Sequence, residues 1–278
     1  MDVKLSHPEK LLFPADGITK ADLAAYYESV AEFMLPHLRD RPLNLWRWNA
    51  GIDRQVVIQQ DIPKGAPAWV ARVQTPRRRG GSIEHVMAQD AATLRWLANQ
   101  NCITPHVWTA RRDMLDRPDR LVFDLDPAPG TEFAAVRRAA LAVGERLRAD
   151  HLEPFAMTTG SKGVHVVAPL RRTRDSDTVR EWARELGAEV AEAHPKTLTT
   201  AWRKEKRDGK ILVDTARNTY GQTVVAPYAV RALPGAPVAT PLEWSELEDP
   251  RLSAQKWTLR TVATRLAERR DPWAAIGR

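Results

Sequence analysis

Apolar residues recur every three or four positions along several segments, the spacing that places side chains on one face of an α-helix. The pattern predicts helices at residues 19–35, 90–99, 131–147, 178–193 and 253–269. Thr19 and Asp22 form a capping-box pattern at the start of the first helix. Asp90 is a candidate N-cap for the second helix, because a carboxylate there can accept a hydrogen bond from an unpaired backbone N–H.

Short apolar runs bounded by turn residues predict the strands. They lie at residues 56–58, 121–126, 155–158, 164–169, 211–214 and 223–225. Two other stretches are predicted as loops: the basic, glycine-containing residues 75–82 and the proline-rich residues 227–241. The mixed order of strands and helices predicts an α+β or α/β fold, with helices packed on a mainly antiparallel sheet.

The strand at 121–126 ends with two aspartates one residue apart. Asp124 and Asp126 share one face of a strand, and adjacent carboxylates are costly to desolvate unless a cation neutralises them. Such hard oxygen ligands suit Mg²⁺ or Mn²⁺, the ions that accompany phosphate substrates. Asp214 ends another apolar strand and could join the pair around two metals about 4 Å apart. The alternatives are an ordinary Asp-rich strand end and an Asp214 that caps the next turn.

Residues 159–163, with the sequence TGSKG, join two predicted strands and lead to His165. The glycines permit close backbone approach, and the amides, hydroxyls and Lys162 can cradle phosphates. The segment is not a P-loop, and a glycine hairpin with a solvated lysine is the alternative. His106 and Arg231 are ambiguous alone, since a single His is often structural and a single Arg is usually a solvated charge.

Composition narrows the class of protein. The 278 residues carry a formal net charge of +7, with an isoelectric point of about 9.7, which tolerates a polyanionic partner. The single cysteine, Cys102, excludes an intrachain disulfide and disfavours a zinc–cysteine site. We expect a soluble, cytoplasmic protein, because the start lacks a signal-peptide core and no apolar stretch approaches 18 residues.

Three motifs follow one another along the chain: LVFDLDP at 121–127, TTGSKGVHVVAPL at 158–170 and ILVDTARNTYGQTVVAPYAVRA at 211–232. Together they closely resemble the polymerase domain of bacterial ligase D, in the archaeo-eukaryotic primase superfamily. The resemblance extends to LSHPEKLLFPADGITKADLAAYY at 5–27, PKGAPAWV at 63–70, CITPHVW at 102–108 and DPWAAIGR at 271–278. It covers nearly the whole chain.

The resemblance implies an α+β primase-polymerase catalytic core, with mixed, mainly antiparallel sheets flanked by helices. Residues 1–278 are expected to form a single module. Its N-terminal part, about residues 1–110, would bind DNA ends, and its catalytic part would span about 111–278. The chain shows no ligase or nuclease sequence, so a free-standing polymerase domain is expected.

Site residues follow from the resemblance position by position. Asp124, Asp126 and Asp214 match catalytic carboxylates that hold two Mn²⁺ or Mg²⁺ ions. The residues matching nucleotide contacts are His106, Thr159 (where the family usually has Ser), Ser161, Lys162, His165 and Arg231. Lys10 and Lys20 match basic residues that hold a DNA 5′-phosphate, with Arg47 as a candidate third contact.

One segment departs from the family pattern. Two aromatics and a lysine usually precede the Pro-Lys-Gly-Ala-Pro stretch, but Val57, Ile58 and Gln60 stand there instead. Stacking on a templating base is worth roughly 1–3 kcal/mol per base. We therefore expect this chain to have weakened end-bridging more than chemistry.

The resemblance implies a DNA-dependent nucleotidyltransferase that adds nucleotides, preferably ribonucleotides, to DNA 3′ ends in end joining or gap-filling repair. Expected partners are gapped or broken DNA with a 5′-phosphate, NTP or dNTP substrate, Ku and a separate DNA ligase, in the nucleoid and without a membrane. Two alternatives remain. One is a DNA-end-binding module with weak catalysis. The other is a haloacid-dehalogenase-type phosphatase, whose nucleophilic Asp generally lies near the chain start and is followed late by a paired acidic motif.

Overall fold

A computed structural model describes residues 3–268 and 270–276. Arg269, predicted to end the closing helix, and Gly277 and Arg278 of the last motif lie outside the described residues. The described chain contains six α-helices and fourteen strands, and its named strands pair antiparallel except for one parallel pair. The α+β fold class and the mainly antiparallel sheets are therefore confirmed.

Along the described residues, helices are interspersed between runs of strands. The strands are β1 (Leu11–Phe13), β2 (Ile18–Thr19), β3 (Leu43–Arg47), β4 (Val57–Gln59), β5 (Arg72–Pro76), β6 (Ser82–Val86), β7 (Cys102–Trp108), β8 (Arg120–Asp126), β9 (Phe155–Thr158), β10 (Val164–Pro169), β11 (Leu198–Thr199), β12 (Ile211–Asp214), β13 (Thr223–Val225) and β14 (Thr240–Leu242). The helices are α1 (Lys20–Ser29), α2 (Ala31–Leu38), α3 (Ala91–Asn99), α4 (Phe133–Ala149), α5 (Ser176–Ala193) and α6 (Val262–Glu268). Among the described residues, no helix combines the length and apolarity needed to cross a membrane.

The chain forms two compact units and returns to the first unit twice. The first unit contains the described residues up to 115 together with 223–239 and 257–270. The second contains 116–222, 240–256 and the described residues from 271 onward. Each unit has its own six-stranded sheet, so each builds a separate apolar core.

The sheet of the first unit has the strand order β13-β7-β3-β6-β5, with β4 paired to β3. In the second unit the order is β11-β12-β8-β10-β9-β14. Helices α4 and α5 pack on one face of this second sheet. Their buried stripes consist of Val136, Ala140, Val143 and Leu147 on α4, and Val179, Ala183, Leu186 and Val190 on α5. Both predicted helices therefore bury an apolar stripe.

Helix boundaries follow the capping residues. Thr19 and Asp22 form the predicted capping box, with the Asp22 carboxylate 2.8 Å from the N–H of Thr19. The Asp90 carboxylate accepts a hydrogen bond from the N–H of Thr93, as expected for an N-cap. The single helix predicted at 19–35 is wrong, because the chain breaks at Val30 and α2 begins directly after it.

Three other predicted boundaries were also wrong. Helix α5 begins two residues early because the Asp175 carboxylate, rather than Thr178, caps it. Helix α4 begins at Phe133 rather than at residue 131. The closing helix starts only at Val262, because the preceding chain pairs with residues 236–238: the carbonyl of Trp257 accepts a hydrogen bond from Val238.

Two stretches predicted as loops contain regular pairing. Residues 75–82 span a hairpin in which β5 and β6 flank a turn closed by the Arg77 N–H and the Gly81 carbonyl. Residues 227–241 include a bridge between Val230 and Val238 and the start of β14. Glycine, proline and arginine content obscured this pairing in the sequence, and β14 in addition pairs with the distant strand β9.

His85, on β6, is a titratable group inside the first unit. Its ring is fully buried, forms a hydrogen bond of 2.8 Å with the Thr75 hydroxyl and meets the Trp108 ring edge-on at 5.5 Å. Burial lowers the pKa of His85 from 6.5 to about 4, with nearby Asp61 opposing the shift. The folded state therefore holds this histidine neutral at pH values where an unfolded chain would protonate it.

We predict that the free energy of unfolding decreases as pH falls from about 6.5 to about 4, because protonation of His85 favours the unfolded chain over that window. In the His85→Gln variant, the decrease in the free energy of unfolding between these pH values should be smaller by about 1–3 kcal/mol. Urea unfolding at several pH values measures this free energy. The exposed His151→Gln variant is the control and should keep the pH dependence of the wild type. Identical pH slopes for His85→Gln and wild type would contradict the prediction.

Candidate functional site

Three carboxylates lie at the ends of two neighbouring strands in the second unit. Asp214 on β12 is directly opposite Asp124 on β8, while Asp126 is opposite Leu212. His165 on β10 is the partner of Asp124 on the other side. Alternate strand residues share a face, so these four polar side chains project from the face opposite to α4 and α5. The structure thus brings together residues from three separate sequence motifs.

Basic side chains neutralise these carboxylates. Lys162 Nζ lies 2.8 Å from Asp126 Oδ1, and Arg207 Nη1 lies 2.9 Å from Asp126 Oδ2. Arg217 Nε lies 3.7 Å from Oδ2 of both Asp124 and Asp214. The Lys162 contact agrees with its predicted place at the site, whereas Arg207 and Arg217 were missed.

The two missed arginines differ in how visible they were in the sequence. Arg217 stands three residues after Asp214 and could have been found from that spacing. Arg207 lies in a segment rich in lysine and arginine, where nothing distinguishes it. Its guanidinium is nonetheless buried and also donates hydrogen bonds to the carbonyls of Ala201 and Trp202, which ties residues 201–207 to Asp126.

Asp214 is the most buried of the three aspartates. Burial raises its pKa, while a hydrogen bond from the Ala216 N–H and the charge of Arg217 act in the opposite direction. The Oδ1 atom accepts the Ala216 bond at 2.8 Å, so the turn-capping alternative for this residue is correct as a structural description. Oδ2 faces Arg217. One carboxylate therefore both shapes the turn and adds negative charge to the cluster.

Asn218 fixes the two carboxylate strands side by side. Its amide oxygen accepts a hydrogen bond from the N–H of Val122, and its amide nitrogen donates to the Val122 carbonyl at 2.7 Å. The side chain continues the β12–β8 pairing beyond Asp214, where the backbone has turned away. Asn218 was not singled out in the sequence analysis.

Carboxylate oxygens on adjacent strand ends are the donors that Mg²⁺ and Mn²⁺ prefer. In the side-chain positions shown, both oxygens of Asp126 contact cationic groups, and within the described residues no group of three His, Cys, Asp or Glu side chains is arranged to hold a metal ion. The donor type and the strand register fit a divalent ion. The metal-ligand role of Asp124, Asp126 and Asp214 remains a prediction.

The turn between β9 and β10 is held by hydrogen bonds of its own residue Thr159. The Thr159 hydroxyl accepts hydrogen bonds from the N–H groups of Ser161 and Gly163, and the Thr159 N–H donates to the Gly163 carbonyl. A Cβ atom at Gly163 would lie 2.1 Å from the Leu125 carbonyl oxygen, so this glycine allows β10 to approach β8. The turn thereby presents Lys162 towards Asp126.

The remaining two predicted nucleotide contacts lie in the first unit. His106 on β7 is buried, stacks on the Trp46 ring with centroids 4.1 Å apart and lies opposite Asn44. Arg231 is half-buried, and its N–H donates to the Pro237 carbonyl at 2.7 Å. The predicted nucleotide set is thus divided, with Thr159, Ser161, Lys162 and His165 in the second unit.

The three predicted phosphate-binding cations share one neighbourhood in the first unit. Lys20 opens α1 and is buried, and its Nζ donates to the carbonyls of Ser6 at 2.7 Å and Asn99 at 3.2 Å. Burial lowers the pKa of Lys20, and the charge of Lys10 lowers it further. Glu9 opposes this shift, and the charge of Arg47 adds a smaller lowering. An anion placed among these cations would relieve their repulsion.

The departing segment lies next to Arg47. The Arg47 guanidinium donates hydrogen bonds to the Gln100 carbonyl and to the Gln59 side chain on the paired strand β4. Val57 and Ile58 on that strand are 46% and 53% exposed. Both are aliphatic surface residues on the strand next to Arg47, at the positions where the family usually has aromatic residues.

Comparison of the sequence with known proteins finds similarity to a single family. The sequence profile described as LigD, primase-polymerase domain, matches residues 19–273. The multifunctional non-homologous end joining DNA repair protein LigD of Mycobacterium tuberculosis is 34% identical over 277 residues, covering 97% of this chain and 36% of that protein. LigD of Pseudomonas aeruginosa is 32% identical over 274 residues, covering 98% and 32%. The chain spans about a third of the length of these relatives.

A solved structure is similar along the whole chain. The polymerase domain from Mycobacterium tuberculosis ligase D in complex with DNA has a TM-score of 0.92 at 32% sequence identity. The match covers 99% of this chain and 98% of that one. It confirms the fold that the ordered motifs implied.

We predict that Gly163→Ala lowers the free energy of unfolding by about 1–3 kcal/mol, because the new methyl group would clash with the backbone oxygen of Leu125 and force β8 and β10 apart. Urea denaturation measures the loss. Ser161→Ala, in the same turn, is the matched control and should unfold like wild type. Equal stability of Gly163→Ala and Ser161→Ala would show that the strands do not depend on this glycine.

Proposed function

The chain belongs to the LigD primase-polymerase family, and from that premise we propose that it is a nucleotidyltransferase that extends the 3′ end of DNA. The observation that carries the proposal is the arrangement of the neighbouring strands β10, β8 and β12. The three aspartates and His165 lie on one face of these strands, and the β9–β10 turn leads directly into β10. The named relatives are non-homologous end joining proteins, which supports the same repair setting for this chain.

Asp124, Asp126 and Asp214 are the residues that would hold two divalent ions, Mn²⁺ or Mg²⁺. When bound, such ions activate the attacking 3′-oxygen and stabilise the leaving pyrophosphate. The protein contributes the alignment: Asn218 fixes β8 to the turn after β12, and Gly163 allows β10 to lie close on the other side. Carboxylate oxygens held in fixed positions on neighbouring strands suit cation-assisted phosphoryl transfer.

The β9–β10 turn would receive the triphosphate. Lys162 is 55% exposed, so its ammonium can leave Asp126 for a phosphate oxygen at small cost. The internal bonds of Thr159 hold the turn without help from a ligand. His106, Arg231, Ser161 and His165 keep the nucleotide-contact roles that the family resemblance implies. A preference for ribonucleotides rests on the same resemblance.

Lys10, Lys20 and Arg47 would bind the 5′-phosphate of a DNA gap or break. The solved relative is a complex with DNA, which supports a nucleic-acid partner, and the mutual repulsion of the three cations supports an anion at this place. Ku, a separate ligase and an NTP or dNTP substrate complete the proposed setting. The principal alternative is a DNA-end-binding module with weak catalysis, whereas family membership leaves the phosphatase hypothesis without support.

We predict that Asp124→Ala, Asp126→Ala and Asp214→Ala each lower primer extension by more than about 100-fold, because each removes charge from the site of transfer. Asp126→Asn, which keeps an acceptor for Arg207, should lose activity while remaining folded. Gel analysis of a labelled primer on gapped DNA, with rNTPs and dNTPs in parallel, measures both activity and sugar preference.

Asp208→Asn, an exposed carboxylate on the nearby basic segment, is the control and should extend like wild type. Wild-type extension by folded Asp126→Asn would contradict the assignment. Tight DNA binding by wild type without any extension would favour the end-binding alternative.

We predict that gapped DNA with a 5′-phosphate binds about 10-fold more tightly than the same DNA with a 5′-hydroxyl, the size expected for one charge-assisted hydrogen bond. Affinity should fall steeply with salt. Lys10→Ala should remove the phosphate preference and leave the carbonyl contacts of Lys20 in place. Fluorescence anisotropy measures the affinities, with the exposed Lys196→Ala as the charge-matched control. Equal loss of preference in both variants would exclude a local phosphate site.

A further inference from the structure

The chain approaching Arg231 has an unusual backbone. Tyr228 is fully buried and has φ +64°, a left-handed conformation that a bulky side chain rarely adopts. Such a conformation persists only where the surroundings over-determine it, and it often accompanies a functional constraint. The residues that impose it lie within the same unit.

Two neighbouring tyrosines of α1 hold this segment. The Tyr26 hydroxyl donates a hydrogen bond to the Tyr228 carbonyl at 2.8 Å. The Tyr27 hydroxyl accepts one from the Val230 N–H at 3.3 Å and donates one to the Ile103 carbonyl at 2.6 Å. Successive helix residues therefore fix the backbone on both sides of residue 229.

Other contacts complete the support of the segment. The Thr104 hydroxyl, on β7, donates to the Val230 carbonyl at 2.6 Å, and the Tyr228 N–H donates to the Ala239 carbonyl at 2.7 Å. The Arg231 N–H then donates to Pro237. Backbone groups at residues 228–231 thus have specific hydrogen-bond partners, so small displacements of this segment are costly.

Both tyrosine hydroxyls stay protonated and can keep their hydrogen bonds at all times. Tyr26 and Tyr27 are buried, their rings lie 5.3 Å apart, and burial raises the pKa of each well above its ordinary value. The hydroxyls therefore remain neutral donors over the whole working pH range. Neither tyrosine belongs to the proposed nucleotide or phosphate contacts.

We propose that Tyr26 and Tyr27 are positioning residues: through the backbone at 228–230 they fix Arg231, and so set the affinity for the nucleoside triphosphate. The proposal rests on the nucleotide-contact role proposed for Arg231. It assigns a function in nucleotide binding to a helix whose first residue, Lys20, serves the proposed DNA-phosphate cluster. Loss of a hydroxyl should loosen Arg231 without moving that cluster.

The test uses Tyr26→Phe and Tyr27→Phe, which keep the rings and remove one hydroxyl each. In primer extension on saturating gapped DNA, each should raise KM for the nucleotide roughly 3- to 10-fold, as expected for loss of one neutral hydrogen bond, with little change in kcat. The Kd for gapped DNA should stay within twofold of wild type. Thr75→Val, which removes a buried hydroxyl on β5 in the same unit, should leave the nucleotide KM unchanged.

The double variants Tyr26→Phe/Arg231→Ala and Tyr27→Phe/Arg231→Ala separate positioning from general damage. If the tyrosines act through Arg231, the hydroxyl has no further effect on KM once the arginine is gone. An equal KM increase in both backgrounds, or unchanged KM in the single variants while Arg231→Ala raises it, would overturn the inference. Unchanged KM in Arg231→Ala itself would instead refute the nucleotide role of Arg231 within the proposed function.

Discussion

The antiparallel pairing of β8 with β10 and β12 is the constraint on which the candidate site depends. Strand register alone sets Asp124 between Asp214 and His165, and alternation along β8 adds Asp126 to the same face. Gly163 leaves room for the Leu125 carbonyl, and Asn218 extends the pairing past the end of β12. Side chains far apart in sequence are therefore aligned by backbone hydrogen bonds rather than by flexible loops.

The same alignment concentrates negative charge, which the fold balances with nearby cations. Lys162 and Arg207 contact Asp126, and Arg217 lies between the other two carboxylates. The first unit shows the opposite case, because Lys10, Lys20 and Arg47 repel one another. The proposed function assigns divalent cations to the carboxylate cluster of the second unit and a DNA 5′-phosphate to the cationic cluster of the first.

Sequence reasoning succeeded where local signals decide the structure. The runs at 155–158, 164–169 and 211–214 are strands with the predicted bounds, and the capping residues Thr19 and Asp90 act as expected. It missed the local hairpin of β5 and β6. It also failed at residues 257–259, because their pairing with the distant residues 236–238 takes the place of the predicted helix. For the site, ordered motifs identified the aspartates, but the partner roles of Arg207 and Asn218 depend on three-dimensional neighbours.

The carboxylate face of β8 and β12 is the proposed centre of nucleotidyl transfer. The most direct measurement is extension of a labelled 3′ end on gapped, 5′-phosphorylated DNA by the wild-type chain, with Mn²⁺ or Mg²⁺ and with a chelator. We expect products lengthened by added nucleotides when either ion is present and none with the chelator. DNA bound at full affinity but never extended under any of these conditions would contradict it.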